Sequence, residues 1–188
     1  MTTDTEINLK PVSATVTVSD VALRRFVTAV YASMDVPLAD AERMADALVQ
    51  ADLWGHQSHG VLRASWYLER LRHRVMTANT QIDVVRDRGC VAVLDGREGI
   101  GQVVAQRGTE LAIEKAKAHG VGTVAIRNSN HFGTLMYYTA QATRHGCIAF
   151  FTSNGGPAMA PWGGAKHKII GTNPWSIAAP VGTAAPML

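Results

Sequence analysis

Apolar residues recur at helical spacing along the first third of the chain and in short strand-like runs through most of the rest. Ser19 and Asp20 offer an N-cap to a helix running to about Met34, and Pro37 stands where a second helix begins and carries on through "ADAERMADALVQADL". Gly55 to Gly60 interrupts the pattern. It resumes from Val61 to about Arg74, where Leu62, Trp66, Leu68 and Leu71 form an approximate apolar stripe, so a turn feeds a third helix. Ahead of these helices, a Thr- and Val-rich tail is expected to hold at most a short strand at "ATVTV".

After Met76 the period changes. The runs "IDVVR", "CVAVLDG", "VGTVAIR" and "CIAFFTS" read as strands, separated by a long helix from Gly101 to His119 that ends at Gly120 and a shorter one from about Thr134 to Arg144 that ends at Gly146. Strands alternating with helices predict an α/β fold in which a helical N-terminal part precedes a mixed, layered sheet with flanking helices. The expected organisation is an extension over 1–18, a helical segment over 19–76 and an α/β region over 77–188. Within 155–188 there are six Gly and five Pro interleaved with Trp162, Ile169, Ile170, Trp175 and Ile177, which predicts an ordered, loop-rich wall and not a linker.

Composition narrows the function classes. With 188 residues, 47% of them hydrophobic, the chain has enough apolar material for one substantial core. The apolar runs are too short to span a bilayer, and Asp4 and Glu6 stand where a secretory signal would be basic, so a cytoplasmic location is expected. Cys90 and Cys147 lie in apolar runs and read as two buried thiols in a reducing compartment. The net charge of +3 is dispersed apart from "RLRHR", which argues against nucleic acid as a partner.

Three stretches carry candidate chemistry. In "GHQSHGVLR", His59 and Arg63 are four residues apart, so on a helix they share a face. A guanidinium binds a carboxylate bidentately, and an imidazole with a pKa of about 6.5 gives or takes a proton at neutral pH, a pairing suited to a 2-oxo or 2-hydroxy acid. Ser58 would orient the imidazole or bond the substrate oxygen; the plainer alternative makes Ser58 a cap and Arg63 a solvated charge. A Ser-His hydrolase is disfavoured because adjacent side chains rarely face each other and no "GxSxG" elbow exists. His56 and His59 lack a third ligand at a recognisable spacing, so no metal is expected. In "NSNHFG", a strand runs through a tight turn at Gly133 into a helix start, an arrangement that offers free amides to a phosphate, although "GxGxxG" is absent and the plainer alternative makes Asn128 and Asn130 turn residues and His131 a cap. Finally, "SNGGPAMAPWGG" and "GTNPWSIAAP" read either as a pocket rim or as plain turns, with Thr172 and Asn173 as short polar groups.

Taken in order, "ADLWGHQSHGVLR", "NSNHFG" and "GTNPWSIAAP" resemble the type-2 malate/L-lactate dehydrogenase family of NAD(P)-dependent oxidoreductases, over a span from about Ser19 to Leu188. The resemblance implies a dinucleotide-binding fold other than the Rossmann fold, a homodimer, and the reduction of 2-oxo acids or of cyclic imino acids such as piperideine- or pyrroline-2-carboxylate, with the reverse oxidation of 2-hydroxy acids. It implies His59 as proton donor, Ser58 as its relay partner, Arg63 as carboxylate clamp and Thr172 as a substrate contact. NAD or NADP would meet His131, Phe132, Gly133, Thr134 and Leu135, with His131 a rival for the acid/base role. Family members are nearly twice as long and supply a further aspartate, so the chain is expected to be a fragment. The alternative is a catalytically silent binding or assembly subunit.

Overall fold

The computed structural model describes residues 16–182 together with 186 and 187. Most of the expected N-terminal extension therefore lies outside the described residues, and the described part of "ATVTV", Val16 to Val18, has no regular structure.

Helices α1 (Asp20–Ala32) and α2 (Leu38–Leu53) pack against each other, α2 opening directly after Pro37. Their inner faces supply Val27 and Tyr31 from α1 and Met44, Ala45 and Leu48 from α2 to one apolar cluster. Tyr67 and Leu71 of α3 (Ala64–Arg72) complete it, as do Met76, Ile100 and Val103. Because Ile100 and Val103 come from the second half of the chain, the helical segment and the α/β region share this core.

The third helix departs from its expected shape. Two single 3-10 turns, Gln57–His59 and Val61–Arg63, precede α3, and between them Gly60 is extended. The cause is Asp52, whose carboxylate accepts the Val61 N–H at 2.8 Å and lies against Gly60 so closely that a Cβ there would stand 1.8 Å from its Oδ1. This rotates the expected stripe: Tyr67 and Leu71 point inward, whereas Leu62 and Trp66 are exposed.

Strands β1 (Asp83–Arg88) and β2 (Val91–Gly99) are antiparallel, and β3 (Thr123–Ser129) runs parallel to β2 after the crossover helix α4 (Gly101–His119). Ala92, Leu94 and Leu111 form a second cluster between this sheet and α4. At its end α4 turns off at Gly120, which takes a positive φ of 82°. A separate antiparallel pair, β4 (Ala149–Thr152) and β5 (Trp175–Ala178), packs on α5 (Met136–Thr143), where the hydroxyls of Thr139 and Ser176 meet at 2.8 Å. The architecture is mixed α/β with a small mixed sheet, unlike an open doubly wound parallel sheet.

Two smaller expectations need correction. Cys90 and Cys147 are free thiols but only half-buried, since both fall just ahead of β2 and β4, Cys90 in a turn and Cys147 in the irregular link after α5, outside the strands themselves. The apolar residues of the loop-rich wall face outward: Trp162, Ile169, Trp175 and Ile177 are all exposed.

Candidate active site

The site forms where the turn after α2 meets the turn after β3. Gly55, with φ at +75°, lets the chain leave α2, and the two 3-10 turns then present His56, Ser58, His59 and Arg63 within eight residues. Ser58 Oγ lies 2.9 Å from His59 Nδ1, a contact between adjacent residues inside the 3-10 turn. Arg63 does not project along a helix from His59. It folds back so that its Nε donates to the Ser58 carbonyl at 2.7 Å, while its terminal nitrogens have no hydrogen-bond partner among the described residues.

The opposing turn is held from behind. Tyr138 donates its hydroxyl to the Phe132 carbonyl, and the Phe132 ring stacks on Phe151 of β4 with centroids 5.3 Å apart. Asn130 is buried; its amide donates to the carbonyls of Glu98 and Gly99 while its oxygen accepts from Arg70. Gly133 turns the chain at φ +87°, and a Cβ there would meet nothing within 4 Å, so that side of the turn is open to an approaching ligand. The α-helix begins two residues later than expected, at Met136, and the amides of Thr134 and Leu135 precede its first hydrogen bonds.

Three imidazoles link the two turns. The His56 ring lies 4.3 Å from that of His59, tilted by 41°, and its Nδ1 reaches Thr134 Oγ1 at 3.1 Å; the His59 ring in turn lies 5.7 Å from that of His131. Trp66 closes one side, edge-on to His131 at 5.4 Å and beneath the guanidiniums of Arg63 and Arg70. Tyr67 closes the floor, its hydroxyl 2.6 Å from His131 Nδ1. Thus Ser58, His59, Arg63 and the His131–Leu135 turn come together. Thr172 does not join them: it is exposed and lies beside Gly155 in the loop between β4 and β5.

Sequence reasoning gave no role to Tyr67, Arg70 or Asp52, it placed Trp66 only in an apolar stripe, and it weighed His56 only as a metal ligand. Tyr67 carried a usable signal, standing four residues beyond Arg63 on the same helical face. Among the described residues no group of three His, Cys, Asp or Glu is arranged to hold a metal, and no helix is long and apolar enough to cross a membrane. A groove of about 930 Å³ between α2, α4 and α5, lined by Arg43, Trp54 and Arg144 among others, contains none of the clustered histidines.

Burial dominates the electrostatics. It lowers the His59 pKa below 6.5, helped by His56 and Arg63, and brings His131 down to about 4, helped by His59, Arg63 and Arg70. Both rings are neutral at pH 7. The unfolded imidazole of His131 takes up its proton near 6.5 and the folded one only near 4, so the unfolded chain binds more protons between those values. Stability is therefore complete above pH 6.5 and falls as the pH drops towards 4, by about 2 kcal/mol after allowance for partial exposure. Urea denaturation at a series of pH values should show this slope, and His131→Gln should flatten it; an unchanged slope in the variant would place its origin elsewhere.

The chain matches the malate/L-lactate dehydrogenase family over residues 18–188. It is 44% identical over 155 residues to an L-sulfolactate dehydrogenase of Methanocaldococcus jannaschii, covering 82% of this chain and 45% of that one. Among solved structures, the malate dehydrogenase of Pyrococcus horikoshii superimposes with a TM-score of 0.85 at 38% identity, over 91% of this chain and 49% of that one. The delta1-piperideine-2-carboxylate reductase of Pseudomonas syringae superimposes with a TM-score of 0.83 at 27% identity, over 92% and 52%. The chain spans about half the length of these relatives. With a family match across nearly all of its residues, the chain belongs to the malate/L-lactate dehydrogenase family.

Proposed function

We propose that the chain forms the proton- and carboxylate-handling part of an NAD(P)H-dependent oxidoreductase that interconverts a 2-oxo acid, or a cyclic imino acid, with the corresponding 2-hydroxy or cyclic amino acid. The observation that carries this reading is the convergence of the Ser58–His59 pair and the Arg63 guanidinium on the His131 turn. His59 delivers a proton to the substrate oxygen or nitrogen, with Ser58 holding Nδ1 so that the opposite nitrogen serves the substrate. Arg63 binds the substrate carboxylate through its terminal nitrogens, its Nε already being held by Ser58. The division of labour follows the chain: the helical 19–76 segment brings proton and carboxylate groups, and the α/β 77–188 region brings the dinucleotide turn.

The His131–Leu135 turn fits a dinucleotide, because the space beside Gly133 is open and the leading amides of α5 are unclaimed. NADH or NADPH bound there supplies the hydride. Thr172 belongs to this reading as a substrate contact if its loop moves inward. The protein acts in the cytoplasm as a homodimer.

Two measurements test the proposal. The complete polypeptide, screened with 2-oxo acids and cyclic imines against both reduced nicotinamides, should oxidise at least one of them in the presence of a carboxylate substrate. No turnover with any acid and no change in nicotinamide fluorescence would favour the binding or assembly subunit. Arg63→Leu removes a charge-assisted bidentate contact, so KM for the acid should rise about 10- to 100-fold while the Kd for NAD(P)H holds. Equal losses in both would count against the clamp.

A further inference from the structure

Under the proposed reaction His131 has two rival roles, a proton carrier or a fixed hydrogen-bond donor, and the hydrogen bonds at its ring decide between them. The backbone N–H of Gly133, which can only donate, reaches His131 Nδ1 at 3.3 Å. A ring nitrogen that accepts from an amide carries no hydrogen of its own, so Nδ1 presents its lone pair. The Tyr67 hydroxyl, 2.6 Å from the same nitrogen, must then donate as well. In a neutral imidazole with Nδ1 bare, the hydrogen sits on Nε2, which has no hydrogen-bond partner among the described residues.

The surroundings keep the ring in that state. The groups facing it are the guanidiniums of Arg63 and Arg70, the imidazole of His59, and the rings of Trp66, Tyr67 and Phe132; no carboxylate is among them. Two cations oppose a second proton on His131. A relay that passes the Tyr67 proton through the ring is closed too, since it would leave a buried phenolate and burial pushes the Tyr67 hydroxyl far above its ordinary range.

We propose that His131 acts in the cleft as a neutral donor whose Nε2–H binds a carbonyl oxygen, that of the 2-oxo group or of the nicotinamide carboxamide, with Tyr67 as the positioning residue for the ring. The role rests on the reading that the cleft takes a nicotinamide and a 2-oxo acid; the tautomer does not. His59 then carries the proton and His131 holds an oxygen in place, as fixed donors do wherever negative charge develops on one.

Long-range proton–nitrogen NMR correlation on histidine-labelled chain reads the tautomer without any need for turnover. At pH 7 the expected pattern is a bare Nδ1 and a protonated Nε2 for His131, with no titration until well below 6.5. A protonated Nδ1, or a midpoint at or above 6.5, overturns the proposal whatever the enzyme does. In Tyr67→Phe the midpoint should move upward, because the lost hydroxyl had favoured the neutral ring; an unmoved midpoint removes Tyr67 from the assignment. In the active complete polypeptide, His131→Leu should lower kcat/KM about 10²- to 10³-fold and His131→Gln, which keeps a neutral donor, should recover most of it. Equal losses in the two variants would restore His131 to proton transfer. A rise in the NADH Kd of the leucine variant identifies the carboxamide as the bound carbonyl, and an unchanged Kd identifies the substrate.

Discussion

Under the proposed reaction, His59→Ala in the complete polypeptide is expected to lower kcat about 10²- to 10⁴-fold while leaving NAD(P)H binding and the folded state intact. The size of the effect follows from what the ring does. Its Nδ1 is held by the Ser58 hydroxyl and the tilted His56 ring lies against it, while the core clusters do not include it. Ser58→Ala should cost much less, since it loosens the ring without removing the proton carrier.

The pH profile gives a second reading of the same residue. Burial, His56 and Arg63 all depress the His59 pKa below 6.5, so the acid form that the proposed reduction needs accumulates only as the pH falls through that lowered value. In the free enzyme, reported by kcat/KM, reduction should therefore rise towards acid pH with its midpoint below 6.5. A bound substrate carboxylate neutralises Arg63, one of the causes of the depression, and the midpoint seen in kcat should shift upward. Oxidation of the hydroxy acid, which needs the neutral ring as base, should show the opposite limb. Full turnover in His59→Ala, or profiles of kcat and kcat/KM that coincide, would remove His59 from the proton-transfer step.

Local rules wrote much of this architecture plainly. The α4 boundaries, Gly101 and His119, are those read from the sequence, because a glycine in the left-handed region at Gly120 and an uninterrupted helical period settle them locally. The strands that became β1 to β4 were legible as apolar runs. What the sequence hid depends on contacts between distant residues. The break at Gly60 comes from Asp52, eight residues earlier, and it is this break that exposes Leu62 and buries Tyr67. The pairing of Tyr67 with His131 spans 64 positions, and no periodicity announces it. Likewise, Ser58 and His59 meet inside a 3-10 turn, which stands where the His59–Arg63 spacing suggested a helical face. The outward-facing Trp162 and Trp175 look like core residues in sequence, where hydrophobicity reports that a surface prefers cover but not where the cover lies.

Gly101→Ala should destabilise the fold and impair the cleft together, because the start of α4 has no room for a Cβ at this position. Alanine in a helix ordinarily gains about 0.5–1 kcal/mol over glycine. Here a Cβ would lie 2.2 Å from the Asn130 carbonyl oxygen and 2.3 Å from that of His131. Both obstacles are backbone atoms, so no rotamer change relieves them, and either α4 or the 130–131 segment must move by roughly an ångström, at a cost of about 1–3 kcal/mol. The clash outweighs the propensity gain. Because the displaced carbonyls belong to the residues that carry the His131 ring, the movement reaches the site, where a misplacement of that size costs about 10²-fold in rate. The urea midpoint should fall and kcat/KM should drop even at temperatures where the variant is fully folded. Gly108→Ala is the internal comparison: its Cβ would meet Ile126 Cδ1 at 2.6 Å, the far end of a flexible side chain on β3, away from the clustered histidines. It should therefore lose less stability and leave the rate unchanged. If Gly101→Ala were as stable and as active as the parent, the close approach of α4 to the His131 turn could not be what positions the site.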